Sequence, residues 1–314
     1  MVGMTDASGP FSSIDAVAAA LTARAYIPDR SLATTVFLAV RLGRPIFLEG
    51  EPGVGKTALA RTLADLLGSE LIRLQCYEGL DAHSALYEWN YPRQILEVRL
   101  QEARGVAQDR IGTDIFSEDF LLERPLLRAI RASGPRPPVL LIDEVDRADE
   151  EFEAFLLEVL SEFQITIPEL GTLRSRVRPV VVLTSNRTRE LHDALKRRCL
   201  YHWIDYPDAA KEIAIVRARL PGIEPRLAEQ LAFFMQRLRR EDLHKRPGVA
   251  ESIDWAEALL TLGVSDLDAG TVETTLGCIL KYKADQDRLR TLGPARLLDE
   301  SRHEREFAAS PLTR

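Results

Sequence analysis

Pro45-Ile46-Phe47-Leu48-Glu49, followed by Gly50-Glu51-Pro52-Gly53-Val54-Gly55-Lys56-Thr57-Ala58, decides the fold. The first five residues read as a short apolar strand. After the glycines, Leu59, Leu63, Leu66 and Leu67 recur at i, i+4, i+7 and i+8, the spacing of a helix with one buried face, and Gly68 stops it. Between strand and helix lies G-x-x-x-x-G-K-T. In residues 50–58 its glycines allow the backbone N–H groups, which all but Pro52 carry, to turn inward around phosphates, Lys56 adds a point charge for the β- and γ-phosphates, and the Thr57 hydroxyl can ligate Mg²⁺. The helix N-terminus directs its dipole at the same place. A glycine turn matching this pattern by accident would need neither the strand nor the helix. The chain is therefore expected to bind a nucleoside triphosphate with Mg²⁺.

What happens to the nucleotide is read further along. Val139-Leu140-Leu141-Ile142 is a continuous apolar run of strand length, as in a central parallel strand covered on both faces. It delivers Asp143-Glu144-Val145-Asp146 to its C-terminal end, where ligands of open α/β sheets bind. Asp143 can hold Mg²⁺ through water and Glu144 can polarise a water toward the γ-phosphate, so the pair points to hydrolysis rather than binding alone. A merely solvated acidic turn would not need the buried strand before it. Pro179–Thr184 is a further buried strand, and it ends at Ser185-Asn186, where Asn186 is placed to orient water. No N-K-x-D guanine-reading motif occurs, so ATP is the expected nucleotide.

The remaining pattern organises the chain. Residues 1–28 form a helical lead-in, with Pro28-Asp29 breaking one alanine- and leucine-rich helix from the next. Residues 29–206 alternate strands and helices, which predicts an α/β fold with a parallel sheet. Within them lie a long irregular segment, about 77–117, a helix over Glu118–Arg131, and a hairpin, about 163–178. Residues 207–290 lose the strands and carry three helical stripes: Leu227, Leu231, Phe234 and Leu238; Ile253, Ala256 and Leu260; Val272, Leu276, Ile279 and Leu280. Residues 291–314 are charged and unpatterned and read as a flexible tail.

Composition narrows the class. Hydrophobic residues make up 46% and charged residues 28%, near the averages of soluble domains. No apolar run approaches the ~20 residues that span a bilayer, so no membrane partner is expected and the cytoplasm is the default address. Cys76, Cys199 and Cys278 form no C-x-x-C pair, and the five histidines show no metal-ligand spacing. A net charge of -7 makes nucleic acid an unlikely general partner. Six lysines against 35 arginines mean that an arginine pair says little by type alone.

These motifs resemble a known group. Gly50–Thr57 looks like Walker A, Val139–Glu144 like Walker B, Thr184-Ser185-Asn186 like sensor 1, and the helical segment like the lid of AAA+ ATPases. More narrowly, Cys76-Tyr77-Glu78-Gly79-Leu80-Asp81, Tyr87-Glu88-Trp89-Asn90-Tyr91-Pro92-Arg93-Gln94 and Ile167-Pro168-Glu169-Leu170-Gly171-Thr172 are similar to the MoxR family, in particular its CoxD-like branch associated with carbon monoxide dehydrogenase maturation. The resemblance covers roughly residues 30–285.

It implies a P-loop AAA+ parallel-sheet core with a C-terminal all-α lid, assembled as a homo-oligomer, in this family a hexameric ring. It implies a chaperone that spends ATP remodelling a client protein, for metalloenzyme assembly or metal insertion, with a von Willebrand A-domain protein as a possible partner. The 77–117 insertion and the hairpin would face the ring's pore. Leu195-Lys196-Arg197-Arg198-Cys199 would carry the arginine finger reaching a neighbour's γ-phosphate, with Arg198 the better match and Arg197 the reserve. One departure stands out: no arginine begins the lid helix after Lys245-Arg246-Pro247-Gly248, so sensor 2 is either missing or replaced by Arg246. Tyr87, Trp89 and Tyr91 either grip a partner or pack the insertion onto the core. A nucleic-acid-directed motor is the competing class, and Arg174, Arg176 and Arg178 on the hairpin are its best support.

Overall fold

The computed structural model describes residues 9–104 and 115–309. The first eight residues of the lead-in, residues 105–114 of the expected insertion and the last five of the expected tail lie outside the described residues. In chain order the elements are α1 (Ile14–Thr22), α2 (Arg30–Leu42), β1 (Ile46–Gly50), α3 (Lys56–Leu67), β2 (Leu71–Gln75), α4 (Ala82–Leu86), β3 (Tyr87–Trp89) and α5 (Tyr91–Ala103). There follow β4 (Leu121–Glu123), α6 (Pro125–Arg131), β5 (Val139–Asp143), α7 (Glu150–Glu162), β6 (Gln164–Ile167), β7 (Gly171–Arg174), β8 (Val180–Ser185), α8 (Asp193–Arg198) and β9 (Leu200–Ile204). The chain closes with α9 (Ala209–Arg219), α10 (Pro225–Arg239), α11 (Val249–Thr261), α12 (Ala269–Ile279), α13 (Lys283–Leu292) and α14 (Pro294–Ala309). Two compact units result: Asp29–Glu49 and Thr57–Trp203 with most of α1 form one, while Leu21–Pro28, Gly50–Lys56 and the residues from Ile204 on form the other.

The first unit is an α/β unit built on a five-stranded sheet of order β2-β5-β8-β1-β9. β5 lies between β2 and β8, parallel to both, and all five of its residues are buried, which is why its sequence is apolar without alternation. The registers Gln75↔Asp143 and Glu49↔Ser185 bring the C-terminal ends of the strands to one edge. Leu140 and Ile142 join Leu126 and Leu127 of α6 and Phe152 and Leu156 of α7 in a single apolar core. Removing a fully buried phenylalanine such as Phe152 from it would cost ~3–5 kcal/mol.

Two expectations in this unit need correction. Glu118–Arg131 is not one helix. A 3₁₀ turn at Glu118–Phe120 leads into β4, which pairs antiparallel with β3, and only then does α6 begin. Pro125 is the cause: it holds Arg124 extended at φ -89°, ψ 170°, and starts a new helix at its first turn. Nor is the segment from Tyr77 irregular throughout, since α4, β3 and α5 lie in it. Tyr87 and Trp89 are buried, and Trp89 sets its ring edgewise against Tyr87 at 5.9 Å and Phe116 at 5.4 Å, so these two aromatics pack the insertion. Tyr91 is 59% exposed. The hairpin is present as β6 and β7, with Arg174, Arg176 and Arg178 exposed and the Arg178 guanidinium over the Phe163 ring.

The second unit owes its core to helices. Leu227, Leu231, Phe234 and Leu238 of α10 pack with Trp255 and Leu259 of α11 and Val272, Leu276 and Ile279 of α12, and the buried Trp255 indole donates to Thr275 Oγ1 at 2.8 Å. The expected flexible tail is also corrected. Residues 291–309 finish α13 and form α14, with Leu297 and Leu298 buried beside Leu289 in the same core. The charges that made this stretch look unpatterned pair outward along α10, Arg237 with Glu300 at 2.6 Å and Arg240 with Glu304 at 2.7 Å. Among the described residues no helix is long and apolar enough to cross a membrane.

Candidate active site

The phosphate loop turns as its sequence requires. Gly50 approaches Ile204 so closely that a Cβ would lie 2.3 Å from the Ile204 carbonyl oxygen, and Gly55 adopts φ +98°, a conformation that L side chains rarely take. Lys56 opens α3 and is buried, its ammonium donating to the carbonyls of Gly50 at 2.6 Å and Glu51 at 2.8 Å. A cation folded into a glycine-turned backbone loop at a helix start suits the phosphates of ATP. The start of α11 rests on the same loop: the Ala250 N–H donates to Gly53 O at 3.0 Å, and the Glu251 carboxylate caps the Gly248 N–H at 2.9 Å.

The boundary between the units falls between Lys56 and Thr57, and Thr57 joins the carboxylates at the sheet edge. Its hydroxyl donates to Asp143 Oδ1 at 3.0 Å, as does that of Thr184 at 2.6 Å. Thr184 also accepts the Glu144 N–H at 2.9 Å. Glu144 sits in the left-handed region at φ 54°, ψ 51°, a backbone costing a non-glycine residue ~1–2 kcal/mol, and this bond helps to hold it there. Three donors meet the Glu144 carboxylate: Asn186 Nδ2 on Oε1 at 3.2 Å, and Gln75 Nε2 at 3.0 Å and Arg147 Nη1 at 3.1 Å on Oε2. Asp146, buried, accepts from the backbone N–H groups of Asn186 and Thr188 and so fixes the turn that carries Asn186. Thr57, Asp143, Glu144 and Asn186 thus form one hydrogen-bonded group.

Sequence reasoning missed Arg73, Gln75, Arg147, Asp146 and the separate role of Thr184. The signal for the first two was available in the i, i+2 placement of polar residues on β2, which puts both on one strand face beside β5. Cys76 follows directly. Burial, and then the charges of Asp143, Asp146 and Glu144, push its thiol up to about 12, so it stays protonated.

Arg197 and Arg198 stand at the exposed C-terminal end of α8, and among the described residues neither guanidinium has an ion-pair partner. Arg44 braces that turn, donating to the carbonyls of Arg197 at 2.8 Å, Cys199 at 3.2 Å and Arg198 at 3.3 Å. A cation there offsets the negative end of the helix dipole. In the helical unit, Arg246 is exposed before α11, whereas Arg239 is buried in a bidentate pair with Glu212 at 2.6 and 2.7 Å. Arg239 is committed to packing that unit.

Comparison with known proteins bears on this arrangement. The model of the AAA domain (dynein-related subfamily) matches residues 45–199, the span from β1 to the end of α8. The gas vesicle ATPase GvpN of Haloferax mediterranei is 29% identical over 254 residues, 78% of this chain and 70% of that protein. The Lon protease of Halothermothrix orenii is 33% identical over 140 residues, 41% of this chain and 14% of that protein. Among solved structures, the RuvB Holliday junction branch migration motor of Thermotoga maritima aligns with a TM-score of 0.44 at 17% identity, covering 79% of this chain and 67% of that one. Residues 45–199 therefore match an AAA domain, and the protein is an ATPase with ATP and Mg²⁺ as its fuel and metal.

Proposed function

We propose that the protein is a MoxR-type chaperone that works as a ring, its clients being metalloenzymes at the stage of assembly or metal insertion. The observation that carries the hydrolytic reading is the Glu144 carboxylate, oriented by Asn186 and Gln75 beside an Asp143 that Thr57 and Thr184 address. Lys56 and the backbone of residues 50–58 bind the phosphates; Thr57 would hold the metal, with Asp143 supporting it through water. Mg²⁺ supplies neutralisation of phosphate charge when bound. Glu144 accepts the proton of the water it orients, and Asn186 fixes the direction in which that carboxylate points. Arg198 serves the site of a neighbouring subunit, with Arg197 as the alternative. The motifs of the insertion and the hairpin support the CoxD-like branch and a carbon monoxide dehydrogenase-like client. The relative GvpN, by its name a gas vesicle ATPase, supports ATP hydrolysis as the chemistry.

The test is a trap. Glu144→Gln is expected to bind ATP, block turnover and retain the client, which mass spectrometry of the captured material identifies. Absence of ATP turnover in the assembled wild-type protein would refute the reading. The exposed Arg174, Arg176 and Arg178 favour a second reading, a nucleic-acid-directed motor. Stimulation of turnover by single- or double-stranded DNA at low salt would support it, and no stimulation would dismiss it.

A further inference from the structure

The Asp143 carboxylate is saturated with donors. Oδ1 accepts the hydroxyls of Thr57 and Thr184, at 3.0 and 2.6 Å, and Oδ2 accepts Arg73 Nε at 3.1 Å and Nη2 at 2.6 Å. Two oxygens offer about four acceptor positions, and four protein donors take them. A metal ion, or a water in its shell, reaches Asp143 only if one of these donors withdraws.

The donors differ in how readily they can leave. Thr57 need not leave at all, because its oxygen keeps lone pairs for a metal while its proton stays on Asp143. Thr184 is 1% exposed and is fixed from the other side by the Glu144 N–H. Arg73 is the loose one. Its side chain is 53% exposed, against 5% for Asp143, and its Nη2 already shares a second acceptor, Gln75 Oε1.

We propose that Arg73 is a positioning residue that holds the place of Mg²⁺ on Asp143. With no metal bound, its guanidinium neutralises and orients the carboxylate; when Mg²⁺ arrives, it gives up Oδ2 and falls back on Gln75. Arg73 thereby sets the Mg²⁺ concentration at which the site engages the metal with ATP. The inference rests on the reading of Asp143 as the metal's acceptor given under Proposed function.

The test is binding, not turnover. Full-length wild type, Arg73→Gln and Arg73→Lys are titrated with a fluorescent ATP analogue in EDTA, and then with Mg²⁺ at fixed analogue. An ion pair with one half-exposed partner is worth ~1 kcal/mol, which is roughly fivefold in a binding constant. Arg73→Gln is expected to lower the half-saturating Mg²⁺ concentration by about that factor with affinity in EDTA unchanged, and Arg73→Lys, which keeps the charge without the fork, is expected to fall between. An unchanged or raised Mg²⁺ requirement in both variants, with wild-type melting temperature, overturns the proposal. A change in EDTA affinity equal to that in Mg²⁺ also overturns it, since a purely structural role acts at every metal concentration. If the wild type binds no analogue at any Mg²⁺ concentration, the nucleotide reading itself falls and takes this inference with it.

Discussion

Thr184→Val is the perturbation that separates a built site from a chance cluster of carboxylates. Valine keeps the β-branched shape inside β8 and removes one hydroxyl, which donates to Asp143 Oδ1 at 2.6 Å and accepts the Glu144 N–H at 2.9 Å. The first is a charge-assisted bond worth ~1.5–3 kcal/mol, and leaving the Glu144 N–H without its acceptor costs a further ~1–3 kcal/mol. The two share one atom and are not additive, so a loss of about 3 kcal/mol in unfolding free energy is expected, read from the midpoint of urea unfolding at constant slope. Catalysis should fall by more than stability accounts for. Glu144 holds a left-handed backbone partly through this bond, and once freed it relaxes and turns its carboxylate off Asn186. The measurement is kcat at saturating ATP on the fully folded variant, with Thr184→Ser as the rescue. Wild-type kcat in Thr184→Val, or failure of serine to restore what valine removes, would refute the reasoning.

Other consequences are as direct. Arg44→Ala should cost ~1 kcal/mol of stability, the value of a cation at a helix C-terminus, yet lower ATPase severalfold in the assembled state, because the α8 turn that presents Arg198 loses its brace; equilibrium ATP-analogue binding should not change. Burial raises the Cys76 and Cys199 thiols from 9.0 to about 12. Their contribution to stability is complete below pH 9 and is lost as pH rises from about 9 toward about 12, so the alkaline unfolding midpoint should move upward in Cys76→Ala relative to its own stability at pH 7. Leu297→Ala should destabilise the helical unit by ~2–5 kcal/mol, as truncation of a fully buried leucine does, whereas a loose tail would tolerate it; thermal melting distinguishes them.

The sequence was most legible where one chemical requirement dictates several adjacent residues. The glycines and Lys56 of the phosphate loop, the unbroken apolar run of β5 and the acids after it could be placed because a phosphate cradle and a doubly covered strand leave few alternatives. Side chains that act through others were invisible. Arg73 and Gln75 look like the ordinary solvent face of an edge strand until the β2–β5 register sets Gln75 opposite Asp143. Asp146 reads as one more acid in an acidic turn until its burial and its bonds to the N–H groups of Asn186 and Thr188 show it bracing that loop. The tail reads as unpatterned because its apolar anchors, Leu297 and Leu298, are sparse among charges, and the value of those charges lies in partners at the end of α10, far away in sequence. Pro125 was the opposite case, a legible break that the helical pattern around it concealed.

The central claim is a hydrolytic site that two subunits complete together. Its most direct measurement is ATP turnover in mixtures of Lys56→Ala and Arg198→Ala proteins, each inactive alone. An arginine reaching into a neighbour's site contributes ~10³–10⁵ in rate, so mixing should restore a clear fraction of wild-type activity at interfaces that pair an intact loop with an intact finger. Turnover in the mixture no higher than in either parent, with co-assembly verified, would contradict the account.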